Sequence, residues 1–401
     1  MLVAALAAAA FVSALALATR AQAQPSDTPQ CGDPFTATRD ASNPLMLPSS
    51  PGANPLSGAS FFVDGPAHGG AAGAIAQLLG QSLTSFSESE GWAQVQQQLS
   101  NLLPSHASVA GQVQELAKIA SEPETQRISS YSQGGSATGI YSQTQKLFCH
   151  NFLADQGTVP IINTYFLHAS LGGCATTSQI NAYMPLFQAR VNAVAAGTGN
   201  RPVVFLLETD GIGSSSCMVR MHSIGTWESA IRYEVQTLGA LPHAVTYVEA
   251  GYSDSNSPSY TARALRAVDV SSIRGFYTND THINWTINEI KWGEKIVKDL
   301  HGGHFIVNTA QNGNGPKLNP HPSKQGIEDL CNPPGRALGP KPTTSTGFPD
   351  VDAFMWTSIP GNSGGTCNGG TPSGTFWTAL GVRLATAANG RLGPHYPNAP
   401  Y

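Results

Sequence analysis

Two carboxylates close the most β-prone run of this chain. Val203-Val204-Phe205-Leu206-Leu207 is uninterruptedly apolar and leads straight into Glu208-Thr209-Asp210, with Gly211, Ile212 and Gly213 behind. Side chains alternate faces along a strand, so an extended run projects Glu208 and Asp210 to one side. The carboxyl ends of strands are where α/β proteins collect reactive groups. A carboxylic acid placed there is a proton donor when burial or a neighbouring negative charge keeps it protonated, and Glu208 is placed to supply that charge. The plainer role for Asp210 is to cap the following segment through its side-chain oxygen. Glu249, Asp254 and Asp280 stand at or just beyond the ends of predicted strands, and His282 adds a side chain of the type that titrates near neutrality. Each is a candidate base, although a solvated or hydrogen-bonded loop position is the commoner fate of such groups.

Positioning these groups requires strands that deliver them to a common end. Predicted strands are Ser60–Val63, Val159–Leu167, Val203–Leu207, Ala244–Val248, Gly275–Tyr277, His304–Asn308 and Ala353–Trp356. Helical periodicity covers Trp92–Ile119, interrupted by Pro104, then Ile180–Ala196, Trp227–Leu238 and Trp285–Leu300. This alternation predicts a mostly parallel sheet, open or closed into a barrel. Gln311–Pro349 is long, rich in Gly, Pro and Asn, and without periodicity, which predicts a binding loop or lid pinned through Cys331.

The ends and the composition bound the class. Leu2–Leu17 is an apolar run that closes on Ala21-Gln22-Ala23, so residues 1–23 read as a signal peptide. Residues 24–53 read as an extended arm and 54–401 as a single β/α domain. The 401 residues are 41% hydrophobic and only 11% charged, with net charge −4, which excludes nucleic acid as the expected partner. Six cysteines behind an export signal favour disulfides, and no Cys/His spacing suits zinc. No cofactor is expected. The mature chain is expected outside the cell, off the membrane and monomeric.

Several motifs occur in a family's order. Asn54-Pro55-Leu56-Ser57-Gly58 precedes Phe61-Phe62-Val63; then come Glu208-Thr209-Asp210 and Tyr247-Val248-Glu249-Ala250-Gly251. Asn312-Gly313-Asn314-Gly315-Pro316, Cys331-Asn332-Pro333-Pro334-Gly335-Arg336 and Val351-Asp352-Ala353-Phe354-Met355-Trp356 follow. Together, from about Asn54 to Trp377, the chain resembles glycoside hydrolase family 6, cellobiohydrolases and endoglucanases that cleave β-1,4-glucan with inversion. The resemblance implies a distorted, partly open (β/α) barrel and a polysaccharide substrate. It implies disulfides Cys174–Cys217 and Cys331–Cys367, leaving Cys31 to pair with Cys149. Asp210 falls on the general acid, with Glu208 as its pKa support and Glu249 as further support or base. Tyr252, Asn279, His282, Ser358 and Asn362 fall at expected substrate-binding positions.

Departures from that pattern are as specific as the matches. Tyr165 to Cys174 lacks the Pro, Arg and Asp of the family's first signature, with Gly173 where the aspartate stands. In Trp356 to Cys367 the frame is kept, but the sugar-binding Lys is Ser358, the Glu is Asn362 and the proposed base Asp is Gly364. A stacking Trp is Leu330, the substrate-binding His is Tyr252, and the Asn-Tyr pair downstream is His282-Ile283. Of the aromatics, Trp227, Trp285, Trp292 and Tyr252 could stack on sugars, with Trp285 and Trp292 expected in the core instead. Asn279-Asp280-Thr281 and Asn284-Trp285-Thr286 are acceptor sequons for N-glycosylation. The expected function is a secreted, inverting glucan hydrolase; the rival is a descendant that binds glycan without cutting it, or a hydrolase retuned to another glycan.

Overall fold

The computed structural model describes residues 53–155, 157–316 and 331–393. The proposed signal peptide, nearly all of the arm, Cys31 and Leu330 lie outside the described residues. Strands β1 (Gln126–Ser129), β2 (Ile161–Tyr165), β3 (Val203–Leu207), β4 (Ala244–Glu249), β5 (Gly275–Thr278), β6 (His304–Asn308) and β7 (Val351–Met355) form one sheet in sequence order. Every neighbouring pair is parallel. The sheet curls into a half-barrel, and β1 and β7 are its two edges.

Period-two alternation builds two cores from the same strands. Val203, Phe205 and Leu207 of β3 face an outer cluster with Phe187, Val191, Ile231 and Val235 from the helices. Val204 and Leu206 face inward with Tyr247, Tyr277, Ile306 and Met355, and Leu56 fills the same interior. Both faces are therefore dry, which is why β3 reads as a continuous apolar run.

The helices are α1 (Gly70–Leu78), α2 (Trp92–Ser100), α3 (Ala110–Ala120), α4 (Ala137–Ala154), α5 (Leu167–Leu171), α6 (Thr177–Thr198), α7 (Ser216–Arg220), α8 (Ile224–Gly239), α9 (Pro258–Ala267), α10 (Thr286–Leu300) and α11 (Thr378–Thr386). Thr176 and Gln179 start α6 with a reciprocal capping box. A third cluster joins α1, α2, α3 and α11 to Trp356, just past β7.

Several elements differ from the sequence expectations. Ser60–Val63 is not a strand; only Phe61 bridges to Val159. β1 and α4 were not anticipated, and neither were α9 or α11. Disulfides close Cys174–Cys217 and Cys331–Cys367. Cys149 is also disulfide-bonded, but its expected partner Cys31 lies outside the described residues.

Candidate active site

The carboxyl ends of the strands open into a groove of about 810 Å³. Arg127 and Ser129 come from β1, Tyr165 from β2, Asp210 from beyond β3, Tyr252 from beyond β4, and Asp280 and His282 from beyond β5. The segment after β7 contributes Ser358, Asn362 and Gly364, and the long loop contributes Asn332 and Pro333. Cys331–Cys367 ties that loop to the segment after β7, so the predicted binding loop does line the groove.

Asp210 is presented by a turn, not by a strand. β3 ends at Leu207, and Glu208 and Asp210 both take left-handed backbone with φ of 49° and 61°. The shared-face argument therefore fails: alternation stops where the extended backbone stops. Oδ1 of Asp210 accepts from the Tyr252 hydroxyl and from Thr281 Oγ1 at 2.9 Å. Oδ2 lies 3.9 Å from His168 Nδ1, which is also 3.0 Å from the Tyr165 hydroxyl. Burial and the Asp210 charge push the phenols of Tyr165 and Tyr252 up, so both remain protonated donors.

Glu208 sits beneath the turn instead of beside Asp210. It is fully buried, and its two oxygens accept the backbone N–H groups of Phe166 and Leu167, each at 2.9 Å. Burial pushes its carboxyl up to about 7, against those two N–H groups, which favour the charge. Glu234 of α8, equally buried, is pushed up by burial and by Glu208. Glu249 ends β4 and is also fully buried. Its Oε2 accepts from Ile212 N at 2.8 Å and Gly213 N at 2.9 Å, which braces the turn behind Asp210. Burial first and Asp210 second hold its carboxyl up.

The remaining candidates separate cleanly. The Tyr252 and His282 rings stack with centroids 3.7 Å apart, and Asp254 holds His282 Nδ1 at 2.9 Å. Asp280 faces the groove but is consumed by Thr209, Thr357 and Arg127. Ser358 accepts from Asn308 at the groove wall, and Asn362 lines the same wall. Asn279 does not reach the groove: it is fully buried and its carboxamide is spent on Asn284 and Asn308. Asn284 is equally buried, donating to Asp254 and Glu289, so neither sequon is presented on the folded surface. Trp227 is core and donates to Gly211 O at 2.7 Å, holding the turn after Asp210; Trp292 is also core. Gly364 lines the groove without a side chain, and no carboxylate replaces it on that wall among the described residues.

Sequence reasoning missed Arg127, Thr281 and His168. His168 lies inside the altered first signature, so that departure was the available signal. Arg127 sits on the strand that was not predicted. Among the described residues no cluster of three or more His, Cys, Asp or Glu side chains is placed to hold a metal ion.

An acid-bearing groove rich in hydroxyl and amide groups, across the carboxyl ends of a parallel half-barrel, places the molecule among β/α barrels of the glycosidase type. The chain belongs to the glycosyl hydrolases family 6, whose family model matches residues 86–388. It is 30% identical over 240 residues to Endoglucanase 1 of Streptomyces sp. (strain KSM-9), covering 58% of this chain and 62% of that one. Over 199 residues it is 30% identical to Endoglucanase A of Cellulomonas fimi, covering 49% and 41%. The chain thus spans less than two thirds of the length of these curated relatives. Among solved structures it resembles the endoglucanase Cel6 of Mycobacterium tuberculosis in complex with methyl-cellobiosyl-4-deoxy-4-thio-β-D-cellobioside. That match has TM-score 0.63 and 28% identity, covering 84% of this chain and 99% of that one. Endoglucanase CEL6B from Humicola insolens shares the fold at TM-score 0.59 and 20% identity, covering 84% and 99%.

Proposed function

We propose that this protein hydrolyses β-1,4-linked glucan, with Asp210 as general acid. The observation that carries the reading is the turn after β3. It aims Asp210 into the groove and fixes Oδ1 with two hydroxyl donors, Tyr252 and Thr281. Oδ2, 3.9 Å from His168 Nδ1, is then the oxygen through which a proton is transferred. In the reaction that proton passes to the glycosidic oxygen as the C1–O bond breaks, and water adds to C1 from the opposite face. The water's proton leaves to solvent or to a base in the groove. Inversion is the outcome that the family resemblance supports.

Water activation is the weak half of this machinery. The position of the family's proposed base is Gly364, and the other lining carboxylate, Asp280, is already hydrogen-bonded on both oxygens. A general base contributes roughly 10²–10⁴-fold to such reactions, so the reading calls for a slow enzyme. That same gap favours the second reading, a groove that binds glycan without cutting it. Export to an oxidising compartment is part of the proposal and is supported by the two disulfides. No helix among the described residues is long and apolar enough to cross a membrane.

The test is release of reducing ends from a panel of plant, fungal and bacterial-wall polysaccharides by the wild type and by Asp210→Asn. Cleavage that drops by about 10²-fold or more in the variant supports the acid role. Binding without cleavage by either protein supports the second reading instead.

A further inference from the structure

One groove residue has a charge that the hydrolytic reading leaves unused. Arg127 lies in β1, in register with Asn163 of β2, and its side chain is 37% exposed where it lines the groove. Nε donates to Asn163 Oδ1 at 3.0 Å and Nη2 to Asp280 Oδ2 at 3.3 Å. The guanidinium carbon stands 5.4 Å from the Tyr165 ring centroid. Nη1 has no hydrogen-bond partner among the described residues.

Arg127 is the cation paired with the buried Asp280, and two hydroxyls share that carboxylate. Thr209 donates to its Oδ2 at 2.8 Å and Thr357 to its Oδ1, whereas 3.3 Å is long for a charge-assisted bond. Among the described residues that line the groove, Arg127 is the one Lys or Arg. The wall after β7, with Ser358, Asn362, Ser363 and Gly364, is uncharged, and the carboxylates of the groove are Asp210 and Asp280. A guanidinium remains charged at any working pH and offers the planar donor edge that fits a carboxylate.

We propose that Arg127 selects sugars bearing a carboxylate, so that the preferred substrate is a β-1,4-linked glucan containing uronate units. The proposal rests on the hydrolase reading above. The uronate carboxylate accepts from Nη1 and from the second hydrogen of Nη2, beside the Tyr165 ring. A neutral sugar hydroxyl can also accept from Nη1 but gains no charge pairing.

Binding to the Asp210→Asn protein, which keeps the chain uncut, is measured by calorimetry with a cello-oligosaccharide and a β-1,4-oligoglucuronide of equal length. The oligoglucuronide is expected to bind about tenfold more tightly, with the margin shrinking at high salt. Arg127→Gln abolishes the margin, lowering oligoglucuronide affinity more than cello-oligosaccharide affinity; Arg127→Lys keeps the charge without the fork and retains part of the margin. Equal affinity for the two ligands overturns the proposal. So does a matching loss on both in Arg127→Gln, which would make Arg127 a strut for Asp280. If Arg127→Gln does not fold, a full margin in Arg127→Lys counts against the forked contact and a reduced one supports it. Cleavage by the unsubstituted protein separates the two readings. Cutting both oligosaccharides alike overturns the uronate preference and leaves the hydrolase; preferential binding with no cutting does the reverse. Binding of neither ligand overturns both.

Discussion

Glu208→Gln tests how the turn beneath Asp210 is held. Glu208 is fully buried, and burial raises its carboxyl from 4.5 to about 7. A carboxyl with a raised folded-state value stabilises the fold fully below its unfolded value, and that contribution is lost as pH rises through about 7. The interval corresponds to about 3 kcal/mol lost between pH 4 and pH 8. The glutamine variant loses this titration, while the equally buried Glu234 keeps its own in both proteins. The variant sets an amide NH₂ against one of two backbone N–H donors, Phe166 or Leu167, and so leaves one donor unpaired. That mismatch costs about 1–3 kcal/mol at every pH. The variant is therefore less stable than wild type at pH 4, and the gap closes or reverses by pH 8. Urea denaturation at the two pH values measures both quantities. A stability difference that stays constant with pH, or widens as pH rises, refutes the argument that burial dominates Glu208.

Three further outcomes are expected. Arg274→Met leaves Asp352, which it holds through two bonds of 2.8 Å, as an uncompensated buried carboxylate; the loss is about 3–5 kcal/mol in denaturant unfolding. Cys331→Ser with Cys367→Ser opens a loop of sequence separation 36, which costs about 4 kcal/mol on loop-closure entropy and weakens glycan binding through Asn332 and Pro333. Gly364→Asp places a carboxylate on the bare wall, and reducing-end release should rise at least about tenfold; unchanged release would show that the wall does not face the attacking water.

Much of the scaffold was legible because its strands are buried on both faces. β3 and β6 were read to the residue, since dry parallel strands are near-continuous apolar runs. β1 fails that criterion because only its second half is buried. Arg127 turns its polar side chain to the groove and Gln126 donates to Asp64, leaving Ile128 as its one large apolar residue. The arginine was missed together with the strand that carries it. Ser60–Val63 was overread because aromatic content resembles a strand even where only Phe61 finds a partner. Asn279 shows a different limit. A motif can place an amide near a site, but only tertiary structure shows that Asn284 and Asn308 consume it.

The acid turn and the far wall have been treated differently by this sequence. Two non-glycine residues in left-handed backbone, Glu208 and Asp210, cost on the order of 1–3 kcal/mol each. The surroundings offset that strain from three sides: Phe166 and Leu167 hold Glu208, Glu249 holds Ile212 and Gly213, and Trp227 holds Gly211. None of these contacts touches the groove directly. Their common effect is to fix where the Asp210 carboxyl points. The wall after β7 is braced as well: Asn332, also in left-handed backbone with φ of 51°, accepts from Gly364 N at 2.8 Å and donates to Gly365 O at 2.7 Å, and Cys331–Cys367 ties it down. The bracing around the acid turn ends on a carboxyl, whereas that around Gly364 ends on bare backbone. That contrast supports the proposal of proton donation by Asp210, in which water activation is the step left to the solvent.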